Sequence, residues 1–77
     1  MIKFIYISKI VGVSSHSYRV IQYEKDGEYY LFWNDKDILI GTFNKVQGFW
    51  RQLGGRQMPE EFPKQLGKHI EVNKLWI

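Results

Sequence analysis

Few residues of this chain are spaced for catalysis or for metal binding. The two histidines, His16 and His69, stand 53 positions apart, so neither H-x-x-x-H nor H-E-x-x-H spacing occurs. The sequence contains no cysteine, which excludes disulfide scaffolds, cysteine zinc sites and thiol nucleophiles. Asp35 and Asp37 flank Lys36, and a solvated turn explains this pattern better than a metal site. The glycines match neither phosphate-binding nor dinucleotide-binding motifs. We therefore predict a protein that is not an enzyme and that uses no metal or cofactor.

Charge is distributed unevenly along the chain. Lysine and arginine number 11 against 8 acids, which gives a net charge of +3. Residues 1–23 and 38–58 contain cations and no acid, whereas 24–37 is acidic. Cations beside aromatic rings are typical of small β-rich modules that bind single-stranded nucleic acid. Core rings and ordinary solvated cations explain the same composition, and the net charge is low for a dedicated nucleic-acid binder.

Aromatic residues make up 17% of the chain. The segment 29–33 is apolar on both faces of a strand, so some rings would remain exposed on a sheet that one helix covers. Exposed aromatic patches mark interaction sites, and tyrosine, tryptophan and arginine often anchor protein interfaces. The candidate partner-binding residues are Arg19, Tyr23, Tyr30, Trp33, Lys45, Arg51 and Arg56.

The N-terminal half of the sequence has the alternation of a β-sheet. Strands are predicted over 2–11, 18–24 and 28–33, and a fourth strand over 38–43. Between the second and third strands, the segment 25–27 (Lys-Asp-Gly) predicts a tight hairpin turn, because glycine accepts the positive φ that such a turn needs.

The C-terminal half changes its period. Apolar residues spaced i, i+3, i+4 and i+7 predict a helix over 46–53. Only one or two short helical turns are predicted over 59–66, because Pro63 should prevent a longer helix. Apolar residues then predict a closing strand over 69–76.

Together these elements predict a single compact domain over 1–77 of the α+β class. We expect a small, mainly antiparallel twisted sheet of about five strands, in the order β-β-β-β-α-β along the chain, with one short helix packed on a face. Lys3, Ser8 and Lys9 interrupt the first apolar run, so we expect no signal peptide and no membrane association. The expected location is the cytoplasm.

Two functional hypotheses follow. The first is a small non-enzymatic protein-interaction module, a regulator or inhibitor that docks its aromatic and arginine surface onto a larger partner such as a nucleic-acid-processing enzyme. The small size and compactness of the chain alone suggest a phage or mobile-element origin. The alternative is a nucleic-acid-binding module that uses the basic segments and exposed rings. A homodimer through an edge strand is also considered, because unpaired N–H and C=O groups invite a partner strand.

Overall fold

The computed structural model describes residues 1–9 and 16–77. Within them the chain forms five strands and one helix, in this order: β1 (Ile2–Ser8), β2 (His16–Gln22), β3 (Tyr29–Trp33), β4 (Leu39–Val46), β5 (Phe49–Gly55) and α1 (Phe62–Asn73). The predicted continuation of the first strand to residue 11 lies outside the described residues.

All five strands belong to one antiparallel sheet, in which each strand pairs with its neighbours along the chain in the order β1-β2-β3-β4-β5. The β1–β2 register is continuous. Shifts in register occur between Leu31 and Phe32 and between Thr42 and Phe43. The predicted class, a small antiparallel sheet of about five strands with one short helix, is confirmed.

The helix predicted over 46–53 is wrong, because this segment lies in a β-hairpin made by β4 and β5. Gln47 and Gly48 form the turn between the strands, with φ of 51° and 85°. Two consecutive positive φ values match a two-residue hairpin turn, whose twist suits the flanking strands. The helical spacing of apolar residues here was therefore accidental, and Gly48 was the informative signal.

The strand predicted over 69–76 is also wrong, because most of that segment belongs to α1. Pro63 does not limit the helix, since it lies in the first helical turn, where its missing N–H requires no partner. The helix ends at Lys74, which adopts the left-handed conformation with φ of 54°. The next backbone N–H, of Leu75, then donates to the Ile70 carbonyl at 3.0 Å.

The core lies between α1 and one face of the sheet. Phe62, Leu66 and Ile70 recur every four residues, so they share one side of the helix, and all three are buried. They pack in one cluster with the fully buried sheet residues Val20, Leu31 and Phe43. Burying each such side chain contributes about 1.5–3 kcal/mol. The sheet thus has a closed face, against α1, and an open face on the other side.

Within the described residues, no helix is both long and apolar enough to span a membrane.

Candidate functional site

The open face is defined by side chains that alternate with the core residues along each strand. Residues paired directly across neighbouring strands share a face. The strand register therefore identifies which residues belong to this surface. The open face comprises Lys3, Ile5, Ile7, Ser17, Arg19, Ile21, Tyr23, Tyr30, Phe32, Leu39, Thr42, Asn44, Val46, Phe49 and Arg51. Tyr23 belongs here because it continues the alternation of β2.

Arg19 lies on β2, between Ile5 of β1 and Phe32 of β3. Its guanidinium carbon lies 5.1 Å from the centroid of the Phe32 ring, within the range of a cation–π contact. The Arg19 Nη2 also donates to the Asp37 Oδ1 at 2.6 Å. The Arg19 side chain is 19% exposed, whereas that of Asp37 is 93% exposed. The arginine is therefore held flat on the sheet, with part of its charge compensated by an exposed carboxylate.

Two tyrosines lie on the same face as Arg19. The rings of Tyr23 and Tyr30 contact edge to face, with centroids 5.3 Å apart. Tyr30 pairs with Ile21 on one side and with Thr42 on the other, so it lies in the interior of the sheet, while Tyr23 is 53% exposed. Together they present aromatic surface next to Lys3, which is the partner of Ile21 on β1.

Apolar residues extend the open face toward both edges of the sheet. Ile5 and Ile7 on β1 and Leu39 on β4 are each about half exposed. At the opposite edge Phe49 is 66% exposed, and the guanidinium carbon of Arg51 lies 6.0 Å from its ring centroid. The face is thus an apolar and aromatic surface with cations among its rings.

The structure places Arg19, Tyr23, Tyr30 and Arg51 on the open face. The two tyrosines contact each other, whereas Arg51 lies on β5 at the far edge of the sheet. The structure places two other predicted residues on the closed face. Trp33 stacks on Tyr18 at a centroid distance of 5.5 Å.

Lys45 is the second of these residues, and it faces α1. Its Nζ donates to the Glu71 Oε1 at 2.6 Å. Arg56 follows the end of β5, where its backbone N–H donates to the Ile40 carbonyl at 2.7 Å, and its side chain is exposed. These two cations therefore do not join the cluster around Arg19.

Several apolar residues of the open face were not among the predicted site residues, including Ile5, Ile7, Phe32 and Leu39. Ile5 and Ile7 alternate with the core residue Tyr6, and Phe32 has the same parity as Tyr30, so alternation could have identified all three. Leu39 could not be found in this way, because the register shift between Leu31 and Phe32 changes which β4 residues face the solvent.

Polar contacts of the closed face fix α1 to the sheet. The Glu71 Oε1 accepts hydrogen bonds from Lys45 and, at 3.1 Å, from the Trp50 Nε1. These donors, Lys45 first, lower the pKa of Glu71. Burial raises the pKa of Tyr29 to about 12, and its hydroxyl donates to the Leu75 carbonyl at 2.8 Å. These groups support the fold and are remote from the open face.

In the described ranges, 1–9 and 16–77, no three histidine, cysteine, aspartate or glutamate residues are grouped in a way that could hold a metal ion. Comparisons of the chain with protein-family models, with curated proteins and with solved structures find no match.

Proposed function

We propose that the chain is a protein-interaction module that binds a larger protein through its open face and acts as a regulator or inhibitor of that partner. The observation that supports this proposal is Arg19, which is stacked on Phe32 and paired with Asp37 on an apolar surface that no helix or strand of residues 1–9 and 16–77 covers. An arginine and rings that are ordered before binding lose little conformational freedom on association. Such residues are the usual anchors of protein interfaces.

The aliphatic part of the face favours a protein partner over nucleic acid. Ile5, Ile7 and Leu39 expose about half of their surface, and covering apolar surface contributes about 25 cal/mol per Å². Bases stack on rings and phosphates pair with cations, so neither makes use of these aliphatic groups. The partner surface should combine apolar side chains with carboxylates, because Lys3 and Arg51 add positive charge to the face.

A single-stranded nucleic acid is the second candidate ligand. The Tyr23–Tyr30 ring pair favours it, since rings near cations are the elements of a stacking platform. In this case the bases would stack on the two tyrosines, and Lys3 and Arg51 would neutralise phosphates.

A capture experiment tests the primary proposal. Tagged protein is incubated with extract of the cells that produce it, with and without nuclease, alongside the double variant Tyr23→Ala/Arg51→Ala. Both residues are exposed, so the melting temperature should barely change. We expect a protein partner that persists after nuclease and is lost from the double variant. Lys64→Ala, an exposed cation on α1, is the control and should retain the partner.

Titration with single- and double-stranded oligonucleotides tests the second candidate. Phosphate-driven binding must weaken as salt increases, with a log–log slope proportional to the number of phosphate contacts. No binding at about 50 mM salt would remove this candidate. Salt-dependent binding that the double variant loses, together with a partner that disappears after nuclease, would overturn the protein-binding proposal in favour of nucleic acid.

A further inference from the structure

Strand β1 forms one edge of the sheet. It pairs with β2 over all seven residues without a shift in register. Alternate residues of an edge strand direct their N–H and C=O groups away from the sheet, where they can pair with another strand. Proteins often block such edges with proline, a bulge or charged side chains. β1 has no proline and no bulge, and its one charged residue, Lys3, disfavours a basic strand but not an acidic one. Its outer edge is therefore a straight template for strand addition.

A groove runs between this edge and α1. The centroid of the His69 ring on α1 lies 5.0 Å from the centroid of the Tyr6 ring on β1. This contact holds the helix beside the strand. Next to this contact is a hollow of about 490 Å³, within the range of ligand-binding clefts. Ile5 and Ile7 line it from the strand, and Val72, which is 69% exposed, lines it from the helix.

The charges of the groove define the ligand. Lys9 lies at the end of β1 and Lys68 on α1, and both line the hollow. Among the described residues that line it, none is aspartate or glutamate. An occupant with carboxylates would meet complementary charge at both positions, and its apolar side chains would contact Val72 and the two isoleucines.

From these observations we infer that the groove between β1 and α1 binds an extended acidic peptide segment, which adds a strand to the sheet at β1. Main-chain hydrogen bonds to β1 supply affinity, and alternate side chains of the peptide supply specificity. This site goes beyond the proposed function, since it uses the edge of the sheet and α1. It shares Ile5 and Ile7 with the open face, but it does not use Arg19 or the tyrosines.

A second copy of the chain brings no complementary charge to this edge. The charged side chains of β1 and of the residue that follows it are Lys3 and Lys9, and both are cations. A second β1 strand would therefore add positive charge beside Lys9 and Lys68 of the groove, and like charges brought together across an interface are unfavourable. Charge thus favours an acidic segment over the homodimer that an exposed edge would otherwise allow.

The test uses a short fluorescent peptide that alternates valine with glutamate, and a matched peptide in which lysine replaces glutamate. We expect the full chain to bind the glutamate peptide and not the lysine peptide. Lys68→Glu should weaken binding about tenfold, as expected for reversing one exposed charge. Lys64→Glu makes the same charge change on the same helix, outside the groove, and should alter binding by less than about twofold.

Amide hydrogen exchange locates the bound peptide. Alternate amides of β1 should exchange more slowly when the glutamate peptide is present, and the Tyr23→Ala/Arg51→Ala variant should bind it as the native chain does. Absence of binding, equal weakening by the two lysine reversals, unchanged exchange in β1, or loss of binding in the double variant would each overturn the inference. Dimeric protein with β1 amides already protected before peptide is added would assign the edge to a second copy instead.

Discussion

Gly67 lies where α1 approaches the sheet most tightly. A Cβ placed on this residue would overlap the indole ring of Trp50. Glycine inside a helix costs about 1 kcal/mol relative to alanine, so a helix exposed to solvent would gain from the substitution. Here the absence of a side chain allows the indole to pack on the helix backbone and to donate its Nε1 hydrogen to Glu71.

Gly67→Ala should therefore lower the free energy of unfolding by about 1–3 kcal/mol, because overpacking outweighs the gain in helix propensity. Urea denaturation measures the change. In the background of Trp50→Ala the same substitution should be neutral or stabilising, since the overlapping ring is gone. A Gly67→Ala protein that is more stable than the native chain would contradict the packing of Trp50 described here.

Tyr29 gives a second prediction at this scale, through its pKa. Burial raises that pKa from 10.0 to about 12, so the fold favours the neutral hydroxyl. The contribution of the Tyr29 hydroxyl to the free energy of unfolding is fully present below pH 10. It is lost as the pH rises from 10 toward 12. Tyr29→Phe should cost about 1 kcal/mol at neutral pH through the lost bond to the Leu75 carbonyl.

Urea denaturation at neutral pH and near pH 11 checks both parts of this prediction. The native chain should lose more stability between the two values than Tyr29→Phe does. The alkaline loss should not disappear, because burial also raises the pKa values of Tyr6 and Tyr18. Identical pH dependence of the two proteins would contradict the burial of the Tyr29 hydroxyl.

At the scale of elements, the β4–β5 turn is the place where the chain departs most from the sequence prediction. Gln47 adopts a φ of 51°, a left-handed conformation that costs most residues about 1–2 kcal/mol and that asparagine tolerates better. Asn-Gly is the preferred pair in such a two-residue turn. Gln47→Asn should therefore raise the free energy of unfolding by about 0.5 kcal/mol.

Gly48→Ala is the matched opposite change in the same turn. The φ of Gly48 is 85°, so a Cβ there would be strained, and we expect a loss of about 1 kcal/mol. Thermal denaturation of both variants measures the pair. If Gln47→Asn destabilised the protein and Gly48→Ala did not, the turn would have a different backbone conformation.

The sequence allowed the first four strands to be predicted because they alternate and are separated by strong turns. At one of these turns, the Gly27 N–H donates to the Glu24 carbonyl at 3.0 Å. The predictions for the last two elements, β5 and α1, were wrong, and the reason is physical. A four-residue spacing fits either a helix or a bulged hairpin, and Pro63 ends a helix or begins one depending on where the first turn lies.

The candidate site could also be predicted only in part from the sequence. The parity of β2 and β3 places Arg19 and Tyr30 on one face once the hairpin is known. Alternation places Trp33 on the face opposite Tyr30, but which of the two faces is closed could not be assigned, because this depends on where α1 crosses the sheet. That crossing is determined by long-range packing of Phe62 and its neighbours, which no local pattern encodes. Lys45 lies outside the strand predicted over 38–43, so alternation could not place it.

On the scale of the whole molecule, α1 determines the organisation of the surface. Because α1 covers one face of a five-stranded sheet, the aromatic residues of the other face remain accessible. The cations divide in the same way. Lys45 is engaged with Glu71 on the closed side, while Arg19 and Arg51 contact rings on the open side. The proposed interaction surface is thus a direct consequence of the α+β architecture.

Site-specific photocrosslinking tests the role of this surface most directly. The photoreactive amino acid p-benzoylphenylalanine replaces Tyr23 on the open face in one protein and Lys64 on α1 in another, and both are irradiated in cell extract after nuclease treatment. We expect position 23 to form a covalent adduct with a protein. Excess native chain should prevent this adduct, whereas excess Tyr30→Ala/Arg51→Ala chain should not. Equal labelling from position 64, or an adduct at position 23 that both competitors prevent equally, would contradict the assignment of the open face as the binding surface.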